Sequence, residues 1–355
     1  MKKSLLDILC CPDCKSTFNL QVFNQKTNGE ILDGVLICSA NRHWYPVIFG
    51  IPRIFMGSYR ENIRNQYNGY FNRYWVNLRG LGSMTGKKNQ AANFEIKLER
   101  TAKSFGFEWK KFFDYPLDNL PTLLKPYTLD VFRGKLGLDA GCGGGRHVVR
   151  CAQQAATIIG VDLSEAVEEA DRKSNDLENT HILQSDIFNL PFKENTFDFV
   201  YSLGVLHHLS EPEKGFGCLV DLIKIGGEIY IWVYKKSLRK IILNPVRKIT
   251  NRLPAKILLY IAIPISFIGY FGIIVPCRFL IKMFPIFKKT LPAHIAEYCK
   301  HNLKIYLTDW FDRLSAPIAN CYLPEEIEGW FKNKGLSEIQ IRVIGDFWCY
   351  GYGRK

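Results

Sequence analysis

Three aspartates, a glycine-rich turn, a histidine pair and a set of cysteines are the residues of this chain whose types and spacing could do chemistry. Asp139 ends the apolar run Leu136-Gly-Leu, and Gly141, Gly143, Gly144 and Gly145 follow in the pattern Asp-x-Gly-x-Gly-x-Gly. Glycines let a backbone come close to a nucleotide-like ligand, because no side chain intervenes. Asp162 lies about 20 positions beyond them, where a carboxylate can accept hydrogen bonds from ribose hydroxyls. Asp186 and Ile187 follow Gln184-Ser185, and His207 and His208 follow Gly204-Val-Leu. A histidine can take up a proton near neutral pH; packing and helix capping are the other roles open to both.

These residues sit at the ends of apolar segments. Leu136–Asp139, Thr157–Asp162, the segment closing at Asp186 and Phe197–Gly204 read as successive strands of an open α/β sheet, each ending in a polar group at the ligand-binding rim. The rival to a nucleoside site is a dinucleotide site, but the turn lacks the third glycine at Gly-x-Gly-x-x-Gly spacing, so the ligand need not carry a pyrophosphate. Near the C-terminus, Leu323-Pro324-Glu-Glu opens like a helix, with proline first and acids in the first turn. Ile339–Val343 then alternates as a strand, with a turn at Gly345-Asp346 before Phe347–Tyr352.

The order of these motifs, with Gly204-Val-Leu-His-His208, resembles the class I S-adenosylmethionine-dependent methyltransferases over residues 131–235 and again at the C-terminus. The resemblance implies a Rossmann-like seven-stranded sheet whose final strand is antiparallel. It implies that Gly141, Cys142 and Gly143 pass beside the methionine part of the cofactor, Cys142 as a small turn residue. Asp139 would meet the cofactor's ammonium. Asp162 and Leu163 would meet the ribose. Asp186 and Ile187 would meet the adenine, a plain turn or cap being the alternative for Asp186. Ser202 and Leu203 would line the mouth near the methyl. His207 or His208 would be the base for an alcohol or phenol acceptor, with His207 ahead.

A second constellation lies at the N-terminus. Cys11 and Cys14 stand on a tight Cys-x-x-Cys turn, and Cys38 ends the run Gly34–Cys38 with His43 five positions on. Two such turns on neighbouring strands can place four ligands tetrahedrally around zinc, as a Cys₃His site, with Cys10 as a competitor for the first place. The segment resembles the zinc-ribbon family typified by the small activator subunit of tRNA methyltransferases. That pattern has a fourth cysteine where this chain has Asn41, so His43 would substitute. The zinc is expected to be structural, because about 55 residues with few core positions need a staple.

At 355 residues the chain should hold about two domains' worth of fold. The expected division is a zinc ribbon at 1–56, a helical, aromatic cap and linker at 57–130, the core at 131–235, a helical insertion at 236–310, and a C-terminal helix and strands at 311–355. Within the cap, a helix from Tyr59 gives way to irregular structure, and 83–92 reads as a mobile loop. Eleven cysteines without a signal peptide argue for reduced thiols or metal and a cytoplasmic enzyme.

Net charge is +13, and between Glu228 and Glu297 there is no acid but twelve Lys or Arg. Inside that interval Ile257–Cys277 is uncharged and apolar, long enough as a helix to span a bilayer. A single crossing would separate strands of one sheet, and Pro264, Pro276, Gly269 and Gly272 suit bent or broken helices. The expectation is peripheral contact with an anionic membrane on the inner face of the cell membrane, and a small-molecule, amphiphilic or lipid-linked acceptor such as a glycan-assembly intermediate. A soluble lid over the pocket is the alternative for the segment. RNA is the alternative acceptor, since the charge would favour phosphate. A non-catalytic activator or scaffold is disfavoured by the intact turn and aspartates.

Overall fold

In the computed structural model the described residues are all except 42, 58, 82–91, 113–118, 126, 155–156, 238–244, 248 and 345–347; the side chains of 92–98, 122 and 293 are also left aside. The loop expected at 83–92 (save for the backbone of residue 92) and the turn at 345–346 lie outside them.

Among the described residues eleven strands form one sheet. In chain order these are β1 (Phe18–Gln25), β2 (Ile31–Cys38), β3 (Trp44–Ile48), β4 (Ile51–Ile54), β5 (Leu136–Ala140), β6 (Thr157–Asp162), β7 (Thr180–Ser185), β8 (Phe197–Leu203), β9 (Ile223–Tyr234), β10 (Ser337–Ile344) and β11 (Trp348–Arg354). Their spatial order is β1-β2-β3-β4-β7-β6-β5-β8-β9-β11-β10. The seven strands β5–β11 are the expected mixed sheet, with β7, β6, β5, β8 and β9 parallel and β11 antiparallel between β9 and β10. Their near-continuous apolar runs follow from burial on both faces.

One feature departs from the expectation. The ribbon is not a separate body, because β4 pairs in parallel with β7, Arg53 opposite Gln184 and Ile54 opposite Ser185, and so extends the core sheet. Arg53 supplies the reason. It is 1% exposed, donates to the Gln184 and Glu168 side chains, and lies 4.0 Å from the centre of the Tyr67 ring.

The longer helices among the described residues are α1 (Tyr59–Gln66), α2 (Ala92–Lys111), α3 (Arg146–Ala152), α4 (Ala166–Ser174), α5 (Pro212–Asp221), α6 (Ala255–Gly269), α7 (Val275–Met283), α8 (Leu303–Ser315) and α9 (Pro324–Asn333). After α1 the chain is not irregular but makes short helices at Asn68–Arg73 and Trp75–Leu78, as Tyr70 and Phe71 pack with Trp44 and Phe55. The start of α9 is as read: Pro324 comes first and the Glu326 carboxylate accepts the Leu323 N–H at 2.6 Å. Asn302 caps α8 by accepting the Ile305 N–H at 3.1 Å. The insertion is less broken than its prolines suggest. From Ala255 to Met283 it is a continuous helical run, α6 and α7 joined by a π-turn at Tyr270–Ile274. Pro264 is carried inside α6, and Pro276 falls in the first turn of α7, where its missing N–H costs least next to the π-turn. Helix α8 crosses the division expected at 310/311.

Candidate active site and candidate metal centre

The glycine turn is held by its neighbours in the sheet. Gly141 and Cys142 donate their N–H groups to Val161 O at 2.7 and 3.0 Å. Gly141 has φ +90°, and a Cβ there would lie 2.3 Å from Val205; Gly143 has φ +51°, and a Cβ would lie 2.9 Å from the Trp109 indole. Both positions therefore need glycine twice over, for conformation and for space. Trp109, near the end of α2, covers the turn, and the Arg146 guanidinium stands 5.5 Å over its ring.

The aspartates at the rim differ in how well they are satisfied. Asp162 Oδ2 accepts the Gly143 N–H at 2.9 Å, and Oδ1 accepts the Ser164 N–H at 2.8 Å and hydroxyl at 2.7 Å. Burial raises its carboxyl above the usual range against these bonds. Leu163 is half-buried beside it, and its carbonyl accepts from Gln184 and Tyr59. Asp186 caps the short turn Ile187–Asn189, accepting from the Phe188 N–H and the Asn189 amide, both at 3.1 Å; burial pushes its carboxyl up to about 6. Ile187 is buried beside it.

Asp139 is 2% exposed, and its Oδ2 has no hydrogen-bond partner. Burial pushes its carboxyl up to about 8, against the Tyr201 hydroxyl and Arg146, with the Asp162 charge adding to the rise. A cationic ligand group would supply what this oxygen lacks. The orphaned carboxylate oxygen and the glycine turn therefore fit S-adenosylmethionine. Cys142 is buried and its thiol raised well above the ordinary range by that burial, which suits a turn residue. Ser202 is fully buried and its hydroxyl donates to Ala140 O at 2.9 Å, so it ties β8 to β5; Leu203 is 8% exposed.

The histidines lie in an aromatic nest. His207 is fully buried, its ring 3.9 Å from Tyr234 and 4.1 Å from His208. His208 Nδ1 is 2.5 Å from Ile318 O, and Phe105 packs 4.8 Å from the same ring. A carbonyl only accepts, so Nδ1 carries the proton and Nε2 the lone pair of the neutral ring.

Sequence reading missed the carboxylates Glu108, Asp309 and Asp312, the last of which meets Tyr234 beside the histidines. Glu108, next to Trp109 on α2, is 4% exposed and its Oε2 has no hydrogen-bond partner. Burial, then the charges of Asp312 and Asp309, hold it well above the usual range, with Arg146 opposing. Tyr234 donates to Asp312 at 2.8 Å, and Tyr298 donates to Asp309 at 2.6 Å. The one available signal was an acid inside the aromatic stretch Phe105–Trp109.

At the N-terminus Cys11, Cys14 and Cys38 bring their sulfurs within 4.8 Å of one another. Cys14 and Cys38 are 3.4 Å apart, the Asn41 N–H donates to Cys38 at 3.4 Å, and Ser16 lies 3.4 Å from Cys14. Three converging thiols with donors on their sulfurs fit zinc. His43 is not in the group: its Nδ1 lies 3.6 Å from Asp13, and its carbonyl accepts the Cys38 N–H. The structure thus assembles three of the four expected ligands. Cys10 is buried, and its N–H donates to Pro191 O.

Comparison with known proteins agrees with both constellations. Residues 138–231 match the methyltransferase domain model and residues 2–50 the Trm112p-like protein model. The yeast Saccharomyces cerevisiae tRNA (carboxymethyluridine(34)-5-O)-methyltransferase is 34% identical over 29% of this chain and 38% of its own. The Psychromonas ingrahamii tRNA U34 carboxymethyltransferase is 33% identical over 35% of this chain and 37% of its own. The Pasteurella multocida ubiquinone biosynthesis O-methyltransferase is 28% identical over 40% of this chain and 64% of its own. Among solved structures, an Aquifex aeolicus SAM-dependent methyltransferase aligns over 69% of this chain and 96% of its own, with 17% identity and a TM-score of 0.40. The chain thus spans under two thirds of the length of each of these three relatives.

Proposed function

We propose that this chain, an S-adenosylmethionine-dependent methyltransferase by its core and with a Trm112p-like ribbon in front, methylates an amphiphilic or lipid-linked acceptor. One observation carries the acceptor class. Helix α8 touches both the histidine nest and the apolar insertion: Asp312 on it accepts from Tyr234 beside the histidines, while Phe311 and Leu314 pack with Leu258 and Ala262 of α6. An acceptor lying along the insertion would then lie one helix away from the histidine nest.

The cofactor supplies an electrophilic methyl group when bound, so the protein's task is alignment and proton removal. Asp139 would hold the ammonium and Asp162 the ribose. His208, with Nδ1–H fixed on Ile318 O, would take a proton from an acceptor hydroxyl at Nε2. Glu108 in its neutral form would offer a hydrogen-bond donor beside Trp109.

A second reading is RNA as acceptor, with the ribbon acting as the Trm112p-like partner does in name. The names of the relatives favour it over a lipid-linked acceptor, since two of the three act on tRNA U34. Their matches cover about a third of this chain, and the insertion is what an amphiphilic acceptor would meet. The test is the purified chain with methyl-tritiated S-adenosylmethionine, offered bulk tRNA or a bacterial lipid extract. Label in the organic phase, lost in His208→Ala, is the expected result. Label in the tRNA would establish the second reading.

A further inference from the structure

We propose that α6 and α7 form a membrane-docking face that lies flat on an anionic phospholipid bilayer. The inference stands apart from the acceptor's identity. The run Ala255–Met283 is the one helix among the described residues long and apolar enough to cross a membrane, and only 28% of its most apolar stretch is buried. At 29 residues it is about 43 Å long.

Its two faces are unlike. Leu258, Ala262, Ser266, Tyr270 and Ile274, four residues apart, are buried against the protein, with α8 as the main neighbour. Away from that stripe large apolar groups are exposed: Tyr260 is 75% exposed, Phe267 53%, Ile268 73% and Phe279 62%, and Phe284 and Ile286 just past the run are exposed as well. An apolar surface of this extent is a contact site.

Crossing is excluded by the fold. Strand β9 precedes the run and β11 follows it, and the two pair directly from Glu228–Arg354 to Tyr234–Trp348, so both ends of the run return to one sheet. The buried face is also committed to α8. A helix that keeps one face on its own protein and bares the other is suited to the plane of an interface.

Charge selects the partner. Arg252 and Lys256 at one end, and Lys282, Lys288 and Lys289 at the other, are all exposed, with no acid between Glu228 and Glu297. A second copy packed on this face by two-fold symmetry would bring these like charges together, whereas anionic headgroups complement them. Two of the basic residues are tied to the protein's own carbonyls, Arg247 buried and Arg278 exposed. Arg247 is 7% exposed and donates to Arg313 O, and Arg278 donates to Cys299 O and His301 O. Arg247 is therefore set apart from the exposed cations of the insertion.

The experiment is sedimentation of the full chain with vesicles of phosphatidylglycerol and phosphatidylcholine, or of phosphatidylcholine alone. Retention on the anionic vesicles at low salt, weakened by added salt, is expected. Replacing Lys282, Lys288 and Lys289 by Gln together should lower the partition coefficient on the order of 100-fold. Phe267→Glu with Phe271→Glu should abolish retention while cofactor affinity, measured by calorimetry, is unchanged. A chain that stays in the supernatant with anionic vesicles overturns the proposal, as does undiminished retention of the Glu variant. So does a lipid-free dimer that this variant converts to monomer, which would assign the face to a second copy.

Discussion

The ribbon and the insertion are both additions to the same core, yet they treat their apolar surface in opposite ways. The ribbon buries it. Strand β4 joins β7, Leu9 bridges Phe192, and Lys2 donates to Leu177 O at 2.7 Å, so the small domain is sewn to the sheet at several points. The insertion buries one stripe of its helices and leaves the other bare. An addition whose apolar groups are used mostly within the fold, Phe49 and Val22 apart, has a structural task. An addition with its largest side chains outside has its partner still to meet. The contrast also places the charges: the ribbon buries a cation, Arg53, at its seam with the core sheet, whereas the insertion exposes most of its cations among the described residues.

The largest effect should come from the ribbon's staple. Purified protein is expected to carry about one zinc, since three thiols and one further ligand make one site. Cys38→Ser or a strong chelator should unfold the ribbon and, through β4, destabilise the core sheet by more than about 3 kcal/mol. Elemental analysis with thermal denaturation measures both. Full zinc in His43→Ala would leave the fourth place to another group, in line with the distance of His43 from the three sulfurs.

Arg53→Met comes next. It removes the cation that joins Gln184, Glu168 and Tyr67 across the seam, and should cost about 2–4 kcal/mol in chemical denaturation, less the part of Glu168 that water reaches. A loss below 1 kcal/mol would mean the seam is held by backbone pairing alone, and the ribbon would be nearer to an independent unit.

The buried stripe of the insertion should behave like core. Leu258→Ala leaves a gap between α6 and α8 and should cost about 2–4 kcal/mol. If denaturation is unchanged, the insertion unfolds separately from the core and the contrast with the ribbon sharpens further.

The core between the two additions gives a smaller, pH-dependent effect. Asp139 has a folded-state carboxyl near 8 against an ordinary value of 3.8. Its folded form binds the extra proton between those values, so its contribution to stability falls as pH rises from about 4 to about 8 and is constant beyond. Asp139→Asn should therefore melt higher than the parent at pH 8 without cofactor, the gap closing towards pH 4, while cofactor affinity drops. Parallel melting profiles at all pH values would show that the carboxylate finds a partner in solution.

The smallest effect belongs to the outward face. Phe267→Glu should change stability within about 0.5 kcal/mol, because the ring is 53% exposed and its loss removes little core. A large loss would put this face inside the fold and end the contrast.

The sequence alone determined the α/β core, the glycine turn, the rim positions of Asp139, Asp162 and Asp186, the three thiols and the opening of α9. Each depends on short spacing: strand periodicity, a turn that needs glycine, two cysteines on one knuckle, a proline before two acids. The acid-free apolar interval was equally legible, since composition survives any fold. Tertiary structure decided the rest, and in each case the cause is contact between distant segments. Arg53 meets Gln184 and fuses the ribbon to the sheet. Glu108 meets Asp312 because α2 and α8, far apart in sequence, pack together. Ile318 fixes the tautomer of His208. Which face of α6 is bare follows from where α8 lies, and Arg247 is withdrawn from the surface by a carbonyl 66 residues away. Local pattern sets what an element can be, while burial and pairing across the chain set which of its groups remain for function.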